Sequence, residues 1–308
     1  MEHFEDSRLQ GLLDIREAMA ALSAAFGELA RGQAVVQPRM RIESGGTMFN
    51  TMAAMLPGSG YCGAKVYTYT SAGYGFVVLL FSMRSGKPLA TFDAGYLTTL
   101  RTSAASALAS TYLARQDARI LAVFGSGPQA AAHVSALTAV LPITEVHVIA
   151  RSNGAEFASR LAAQTGLNVV MSDAESAVRA ADVIVTATRS KDPLFPGDWI
   201  RAGCFLSAVG SSRAGHSEFD STAISRCDRI VVELRSHARH EAGNLIKAAE
   251  AGVLDWNRVA DLGELVTGAA CGRQTVGEIT LFDSAGIALE DIAVAAAAYR
   301  KLRGESVD

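Results

Sequence analysis

A glycine turn at residues 124–130 has the spacing found in dinucleotide-binding proteins. The sequence "FGSGPQA" places Gly125 and Gly127 between an apolar strand-like run and a helix-like run, in the order G-x-G-x-x-A. The first glycine permits a tight turn, and the second lets the backbone approach a pyrophosphate at the helix N-terminus. Pro128 and Gln129 would begin that helix. The turn predicts a dinucleotide site, although the same pattern by itself also occurs in ordinary strand–helix turns.

The next apolar run, "HVIARS", ends in Arg151 and Ser152 rather than in an acidic residue. In NAD-selective sites an Asp or Glu at this point hydrogen-bonds the ribose 2′-hydroxyl. An arginine can instead pair with a 2′-phosphate and stack on the adenine, and a serine adds a hydroxyl donor. The alternative is a solvated arginine at a strand end. We therefore expect NADPH as the cofactor, with NADH as a weaker substitute.

Three cationic residues in the first third of the chain are candidates for binding a substrate carboxylate. Arg41 lies in "QPRMRIE", Lys65 in "GAKVY" and Arg101 in "LTTLRTSAAS". Lys65 and Arg101 stand among small or apolar residues, where an unpaired charge is costly. Each residue alone is also explained as a structural or surface charge. Brought together, the three would form a carboxylate clamp, for which arginine is well suited.

The composition limits the class of protein. A chain of 308 residues with 49% hydrophobic and 19% charged residues is a folded protein long enough for two domains. A net charge of -3 argues against nucleic acid as a partner. No apolar run reaches the ~20 residues of a membrane helix, and the acidic start is unlike a targeting peptide, so we expect a cytoplasmic protein without a membrane partner. The four scattered cysteines indicate no metal site or disulfide framework, and we expect buried thiols.

Two kinds of pattern divide the chain. Residues 1–112 combine an amphipathic helix over 15–31, β-rich runs broken by Gly and Pro, and an alanine-rich helix over 97–115. Over 113–286 apolar strands alternate with helices, which predicts a parallel sheet covered on both faces. A last helix is predicted in "IALEDIAVAAAAYRKL", and residues 287–308 are expected to return to the first domain.

Eight short segments spread over nearly the whole chain form a recognisable series. In chain order they are "PRMR", "GAKV", "LTTLRTSAASALA", "VFGSGPQAAAH", "ADVIVTAT", "AVGSSRAGHSEFD", "DLGELVTG" and "GRQTVGEITLFDSAGIALEDIAVA". Through them the chain resembles the ornithine cyclodeaminase and mu-crystallin family. This resemblance implies an α/β fold in which a Rossmann-type doubly wound parallel sheet is inserted in a second α+β domain for substrate binding and dimerisation. It also implies a homodimer. Members include ornithine cyclodeaminases, ketimine reductases, Δ1-pyrroline-2-carboxylate reductases and some alanine dehydrogenases.

The resemblance also implies roles for individual residues. Arg41, Lys65 and Arg101 match the residues that hold the substrate carboxylate. Further matches are to positions that line the pyrophosphate, the nicotinamide or the substrate: Pro128, Gln129, Thr188, Val209, Ser284 and Ala285.

The loop "AVGSSRAGHSEFD" departs from the pattern of true ornithine cyclodeaminases, which carry an aspartate where this chain has Ser212. A serine has no carboxylate to act as a base or to bind the terminal ammonium of ornithine, which argues against cyclodeamination. Arg151 likewise favours a consumed NADPH over a recycled NAD. The chain is therefore most similar to the Δ1-pyrroline-2-carboxylate (ketimine) reductase branch.

We expect NADPH-dependent reduction of a cyclic ketimine acid, Δ1-pyrroline-2-carboxylate or Δ1-piperideine-2-carboxylate, to L-proline or L-pipecolate. Arg41 and Arg101 would hold the carboxylate, and Lys65 would help to hold it and protonate the imine. Ser212 would orient the ring nitrogen or a water. The alternatives are an ornithine cyclodeaminase or amino-acid dehydrogenase of the same family and a non-catalytic, crystallin-like NADPH-binding protein. Asp291 is interpreted as a helix cap or an inter-domain salt link.

Overall fold

The computed structural model describes residues 1–210 and 212–304, which form two compact units. Unit 1 comprises Met1–Ala105 and Gly286–Asp308, and unit 2 comprises Ser106–Ala285. The first division falls after Ala105, inside the helix Gly95–Leu113, which contributes residues to both units. The sequence predicts this boundary later, at 112/113. Residues 305–308, the end of the predicted C-terminal segment, lie outside the described part of the chain.

Unit 1 is built on one mixed sheet. Its strands follow the order β1-β7-β6-β5-β4-β2, with β3 also paired to β4, and all pairs except β1–β7 are antiparallel. The elements are β1 (Glu2–Phe4), α1 (Asp6–Leu9), α2 (Ile15–Ala30), β2 (Val35–Val36), β3 (Met40–Ser44), β4 (Thr47–Leu56), β5 (Tyr61–Thr70), β6 (Gly73–Ser82), β7 (Pro88–Asp93), α3 (Gly95–Leu113) and, at the end of the chain, α11 (Ala288–Leu302).

The first long helix begins where the sequence predicts it. Asp14 caps α2 in a capping box, in which its side chain accepts from the backbone N–H of Glu17 and the Glu17 side chain accepts from the N–H of Asp14. Leu22 and Phe26, one turn apart, are fully buried. The other face-covering helix, α11, packs on α2 and on β4, β5 and β6. The two helices therefore enclose the core of unit 1 on one face of its sheet.

The opposite face of this sheet carries exposed apolar side chains. On β4 the burial alternates, so that Met48, Asn50 and Met52 face the helices whereas Phe49 and Met55 point to the other side. Neighbouring strands add to the same exposed face, whose large apolar residues are Val35, Met40, Ile42, Phe49, Met55 and Val77. We call this surface the open face.

Unit 2 is a doubly wound parallel sheet. Its eight strands follow the order β10-β9-β8-β11-β12-β15-β13-β14, and every neighbouring pair is parallel. The elements are β8 (Ile120–Phe124), α4 (Pro128–Thr138), β9 (Glu145–Ile149), α5 (Gly154–Thr165), β10 (Asn168–Met171), α6 (Ala174–Ala180), β11 (Val183–Thr186), β12 (Phe205–Ala208), α7 (Ser221–Ser225), β13 (Arg229–Val232), α8 (Arg235–Glu241), α9 (Gly243–Glu250), β14 (Val259–Asp261), α10 (Leu262–Val266) and β15 (Thr280–Asp283), with short 3-10 helices at Gly197–Trp199 and Trp256–Arg258.

The predicted α/β fold with a Rossmann-type sheet is confirmed. All residues of β11 and β12 are buried, as expected for central strands of a sheet covered on both faces. Two strands were not predicted, β14 and β15. β15 is inserted between β12 and β13, and its burial in the middle of the sheet places the residues that follow it at the same edge as those after β11 and β12.

The cysteine prediction was wrong for two of the four residues. Cys204 and Cys227 are buried, and burial raises the pKa of Cys204 to about 12. Cys62 is half-buried because it lies on the open-face side of β5, and Cys271 is exposed in the irregular segment after α10. All four are free thiols.

Within residues 1–210 and 212–304, no helix combines the length and apolar character needed to cross a membrane. No group of three or more His, Cys, Asp or Glu side chains there is arranged to hold a metal ion.

Candidate active site

The predicted cofactor residues lie along one edge of the parallel sheet of unit 2. The strand order reverses between β8 and β11, and in such sheets ligands bind beyond the carboxyl ends of the strands at this switch point. The predicted residues follow the carboxyl ends of five strands: Gly125 and Gly127 after β8, Arg151 and Ser152 after β9, Thr188 after β11, Val209 after β12, and Ser284 and Ala285 after β15.

The glycine turn has the geometry that a pyrophosphate requires. Gly125 has a φ of +117°, and a Cβ there would lie 2.7 Å from the carbonyl oxygen of Ala187, so only glycine fits. A Cβ built on Gly127 would meet nothing within 4 Å, so the space beside this backbone is open. Pro128 is at the first turn of α4, where its missing N–H is not needed. The Oε1 atom of Gln129 is buried without a hydrogen-bond partner among the described residues. The turn therefore fits a dinucleotide.

The predicted selectivity residues lie beside this turn. The Ser126 hydroxyl, between the two glycines, donates to the carbonyl oxygen of Ser152 at 3.0 Å. Arg151 and Ser152 are both exposed. Asn153, which follows them, has a φ of +55° and is the one residue other than glycine with a positive φ among those described. The side chain of Arg151 therefore projects to solvent at the strand end beside the pyrophosphate turn, a position that fits a 2′-phosphate.

A buried carboxylate that the sequence analysis missed joins the loops after β11 and β12. Glu218 accepts hydrogen bonds from the backbone N of Thr188 at 2.9 Å, the Thr188 hydroxyl at 2.6 Å and the backbone N of Gly210 at 3.0 Å. Burial raises the pKa of Glu218, and the bonds from Thr188 oppose that shift. The Glu218 backbone N donates to Asn244 Oδ1, whose Nδ2 donates to Asp283. These hydrogen bonds connect the carboxyl ends of β11, β12 and β15.

A second buried acid holds the segment after β15. Glu233 accepts from the Ser284 hydroxyl at 2.5 Å and from the backbone N of Ala285 at 3.2 Å. Both predicted residues are thus fixed by a carboxylate from the end of β13. Burial raises the pKa of the neighbouring Asp283 to about 8, with Asn244 opposing the shift.

Ser212 is half-buried in the loop after β12, and the preceding Ser211 lies outside the described residues. The same loop packs closely on Gly243 at the start of α9, where a Cβ would collide with the carbonyl oxygen of His216. The pKa of His216 is lowered by burial and by the positive charge of Arg213. The loop is therefore anchored to unit 2 by its backbone.

In unit 1, Lys65 is buried in an ion pair. It lies on the helix-covered side of β5 and is 2% exposed, and its Nζ is 2.8 Å from Asp291 Oδ1 and donates to the Thr98 hydroxyl at 2.7 Å. The Nζ also lies 4.8 Å from the centre of the Phe76 ring. Burial lowers the pKa of Lys65 to about 8, although the charge of Asp291 acts to raise it. The result is an ammonium group that can release its proton near neutral pH.

Arg101 reaches the same acids from α3. Its Nη1 is 2.6 Å from Glu290 Oε2, and its Nε is 3.3 Å from Asp291 Oδ1. Burial acts to raise the pKa of Asp291, but the charges of Lys65 and Arg101 hold it below its usual value. The salt link predicted for Asp291 is present, but it is buried and lies within unit 1 rather than between domains. Two adjacent acids in an otherwise apolar helix are the signal that could have indicated a buried cationic partner.

The structure brings Arg39, rather than the predicted Arg41, to this group. Arg39 Nη2 donates to the carbonyl oxygen of Gly286 at 2.8 Å, and a Cβ on Gly286 would lie 2.6 Å from Arg101 Nη1. The charge of Arg39 also acts on the pKa of Lys65. Arg41 is exposed, and its Nε donates to the Asn50 side chain. Arg39 precedes β3, whereas Arg41 lies within this strand.

Known proteins share the fold of this chain. The glycine turn at the switch point of a parallel sheet defines a dinucleotide-binding protein of the Rossmann type. The model of the ornithine cyclodeaminase/mu-crystallin family matches residues 5–306, and the chain belongs to that family.

Three similar proteins illustrate the range of the family. The alanine dehydrogenase of Archaeoglobus fulgidus is 33% identical over 97% of this chain and 94% of its own length. The probable ornithine cyclodeaminase from Bordetella pertussis Tohama I has a TM-score of 0.96 at 39% identity, covering 99% of this chain and 97% of that one. The Thermococcus litoralis Δ1-pyrroline-2-carboxylate reductase, in complex with NADH and L-proline, has a TM-score of 0.94 at 30% identity, covering 99% and 98%. The predicted enzyme class, a nicotinamide-dependent oxidoreductase, is confirmed.

Proposed function

We propose that this protein reduces a cyclic ketimine acid, Δ1-pyrroline-2-carboxylate or Δ1-piperideine-2-carboxylate, to L-proline or L-pipecolate with NADPH. The observation that carries the proposal is the buried group around Lys65. An ammonium with a pKa of about 8 lies beside guanidinium groups able to bind a carboxylate, so one site offers both anion binding and a proton. The similarity to a Δ1-pyrroline-2-carboxylate reductase supports the same substrate class.

Different residues of unit 1 bind the substrate carboxylate and supply the proton. Arg39 and Arg101 bind the substrate carboxylate, which fixes the orientation of the ring. Lys65 transfers a proton to the imine nitrogen, and the resulting iminium carbon is a stronger electrophile. Asp291 holds Lys65 in place and favours its charged form before the transfer. The reduced nicotinamide, when bound, supplies the hydride. Proton and hydride together convert C=N into CH–NH.

The NADPH preference rests on the end of β9. Arg151 and Ser152 are exposed beside the glycine turn. A guanidinium there pairs with a 2′-phosphate, and residues 150–153 at this strand end include no carboxylate that would repel the phosphate. NADH lacks that phosphate and binds more weakly.

The assembly we propose is a homodimer formed through the open face of unit 1. Phe49 and Met55 on β4 and Ile42 on β3 are between 38% and 69% exposed, and Ile42 pairs in register with Phe49. A sheet face of this composition is unfavourable in water, and a two-fold axis through it would bury the same residues on both copies.

The proposal is tested with a substrate panel and a matched pair of variants. Steady-state NADPH oxidation is measured with five- and six-membered ketimine acids and with pyruvate plus ammonia. A separate assay measures the release of ammonia from ornithine in the presence of NAD. Arg39→Ala should raise KM for the ketimine acid by about 10- to 100-fold through loss of a charge-assisted bond. Arg41→Ala, which removes the same group two residues away, should leave KM unchanged.

The alternatives correspond to defined outcomes. Reductive amination is the second candidate, because an alanine dehydrogenase is similar over nearly the whole chain. Turnover with pyruvate and ammonia but not with ketimine acids would establish it. Ammonia release from ornithine would establish cyclodeamination, and tight NADPH binding without any turnover would establish a binding protein. Equal effects of Arg39→Ala and Arg41→Ala would contradict the assigned carboxylate site.

A further inference from the structure

Asp283 is a buried acid of unit 2 that the proposed mechanism does not use. It is the last residue of β15, a central strand of the parallel sheet, and it is 1% exposed. Its Oδ2 accepts from the Asn244 side chain at 3.1 Å, and its Oδ1 has no hydrogen-bond partner among the described residues. A neutral amide compensates a buried negative charge less than a cation would. The surroundings of Asp283 therefore favour its uncharged form.

The charged groups that act on Asp283 are themselves acids. Burial is the main reason why the pKa of Asp283 is raised to about 8, and the negative charges of Glu233 and Glu218 raise it further. Glu233 lies at the end of β13, and Glu218 lies in the segment between β12 and α7. Only the hydrogen bond from Asn244 acts in the opposite direction. At neutral pH most of Asp283 is therefore protonated.

Asp283 lies at the sheet edge to which we assign the nicotinamide half of the cofactor. It pairs in register with Ala208, the last residue of β12, which pairs with Thr186, the last residue of β11. The residues assigned to the nicotinamide follow directly, with Thr188 after β11 and Ser284 next to Asp283. Because neighbouring strands are about 4.8 Å apart, a ring bound beyond the ends of β11 and β12 comes within about 10 Å of Asp283.

We propose that Asp283 distinguishes the two oxidation states of the nicotinamide and releases its proton when the oxidised cofactor binds. The inference rests on the proposed cofactor site and does not depend on the imine substrate. The oxidised ring carries a positive charge, which favours the carboxylate over the acid, so the proton passes to the solvent. The reduced ring is neutral and has no such effect. Stronger binding of the oxidised form in turn makes the bound reduced cofactor a stronger hydride donor.

Coulomb's law gives the size of the effect. Opposite unit charges about 10 Å apart at an effective dielectric constant of about 20 attract by an energy equivalent to roughly tenfold in binding. The oxidised cofactor then lowers the pKa of Asp283 by about one unit. Asp283 is protonated in both complexes well below this range and ionised in both well above it. The affinity for NADP+ relative to NADPH should therefore rise about tenfold between about pH 6 and pH 9 and then level off.

The test is calorimetric titration of the protein with NADP+ and NADPH, and with NAD+ and NADH, over this pH range. The ratio of the two dissociation constants within each pair removes any contribution of the 2′-phosphate, because both forms of NADP carry it. Asp283→Asn keeps the size of the side chain and an oxygen to accept from Asn244, and it should make the ratio independent of pH. Asp198→Asn, which removes an exposed carboxylate in the 3-10 helix Gly197–Trp199, should retain the wild-type pH dependence.

Two further measurements keep the test decisive. Titration in two buffers of different ionisation enthalpy counts the protons released, and NADP+ should release about half a proton more than NADPH at about pH 7.5. Lys65 also has a pKa of about 8, so its titration must be separated from that of Asp283. Lys65→Arg carries a fixed charge and should retain the pH dependence of the ratio.

Four results would overturn the inference. These are a wild-type ratio that does not change with pH, a pH dependence that persists in Asp283→Asn, its loss in Lys65→Arg, and failure of all four cofactors to bind. The proton count and Lys65→Arg decide the matter where Asp283→Asn does not fold. Imine turnover is measured separately, so absent turnover with a pH-dependent ratio would refute the proposed substrate and leave the role of Asp283 in place.

Discussion

Replacement of Glu218 by Gln tests whether the hydrogen-bond network at the sheet edge sets the nicotinamide half of the cofactor site. Glu218 accepts three hydrogen bonds, two from Thr188 and one from the backbone N of Gly210. Glutamine keeps one acceptor oxygen, which can serve Thr188. Its NH2 group would then face the N–H of Gly210 and leave that donor buried and unpaired.

The magnitude follows from these contacts. An unpaired buried N–H costs about 1–3 kcal/mol, which the loops after β11 and β12 would avoid by moving apart. If this movement is reversed when cofactor binds, NADPH affinity falls by about 10- to 100-fold, since each 1.4 kcal/mol is tenfold. The adenosine half would bind at the other side of the switch point, towards β9, and its binding should be unaffected.

The assay therefore compares two ligands. The Kd of NADPH should rise in Glu218→Gln, whereas the Kd of 2′,5′-ADP, which contains only the adenosine half, should not change. Glu250→Gln removes an exposed carboxylate of the same unit and should alter neither value. A parallel loss of affinity for both ligands would show general damage to unit 2, and unchanged NADPH binding would show that the network is dispensable. Either result would refute the positioning role.

Three other predictions concern the proton donor, the cofactor and the assembly. Because the pKa of Lys65 is lowered to about 8, its protonated form is lost as pH rises through that value, and kcat/KM should fall about tenfold per pH unit above it; a flat profile up to pH 10 would exclude Lys65 as the donor. Arg151→Asp should weaken NADPH binding at least about tenfold and reverse the preference towards NADH, and equal wild-type rates with both cofactors would contradict the premise. Phe49→Glu places a charge on the open face and should yield monomers by light scattering, while a native mass that does not change would locate the interface elsewhere.

Features that depend on neighbouring residues could be predicted from the sequence. Local patterns of apolar and turn-forming residues predict the glycine turn, the alternation of strands and helices in unit 2, and the long helices of unit 1. Strand β15 was missed because four residues ending in an aspartate give a weak pattern. Its burial results from pairing with β12 and β13, which are distant in sequence.

The partners of the charged residues could not be predicted in the same way. Lys65 and Asp291 are separated by 226 positions, and no local pattern states that they meet. Arg39 and Arg41 are both arginines of the same short segment, so the sequence gives no reason to prefer one of them. The structure shows that Arg39 donates to the carbonyl oxygen of Gly286.

The sequence by itself determined that the chain has a dinucleotide turn, an arginine at the end of the second strand and buried cations in need of anions. Only the tertiary structure decided that α11 supplies two of those anions, Glu290 and Asp291, and that Arg39 completes the group. The physical reason is that turn and helix formation follow from short-range backbone preferences. The charge of a buried site is instead a sum over side chains that only folding brings together.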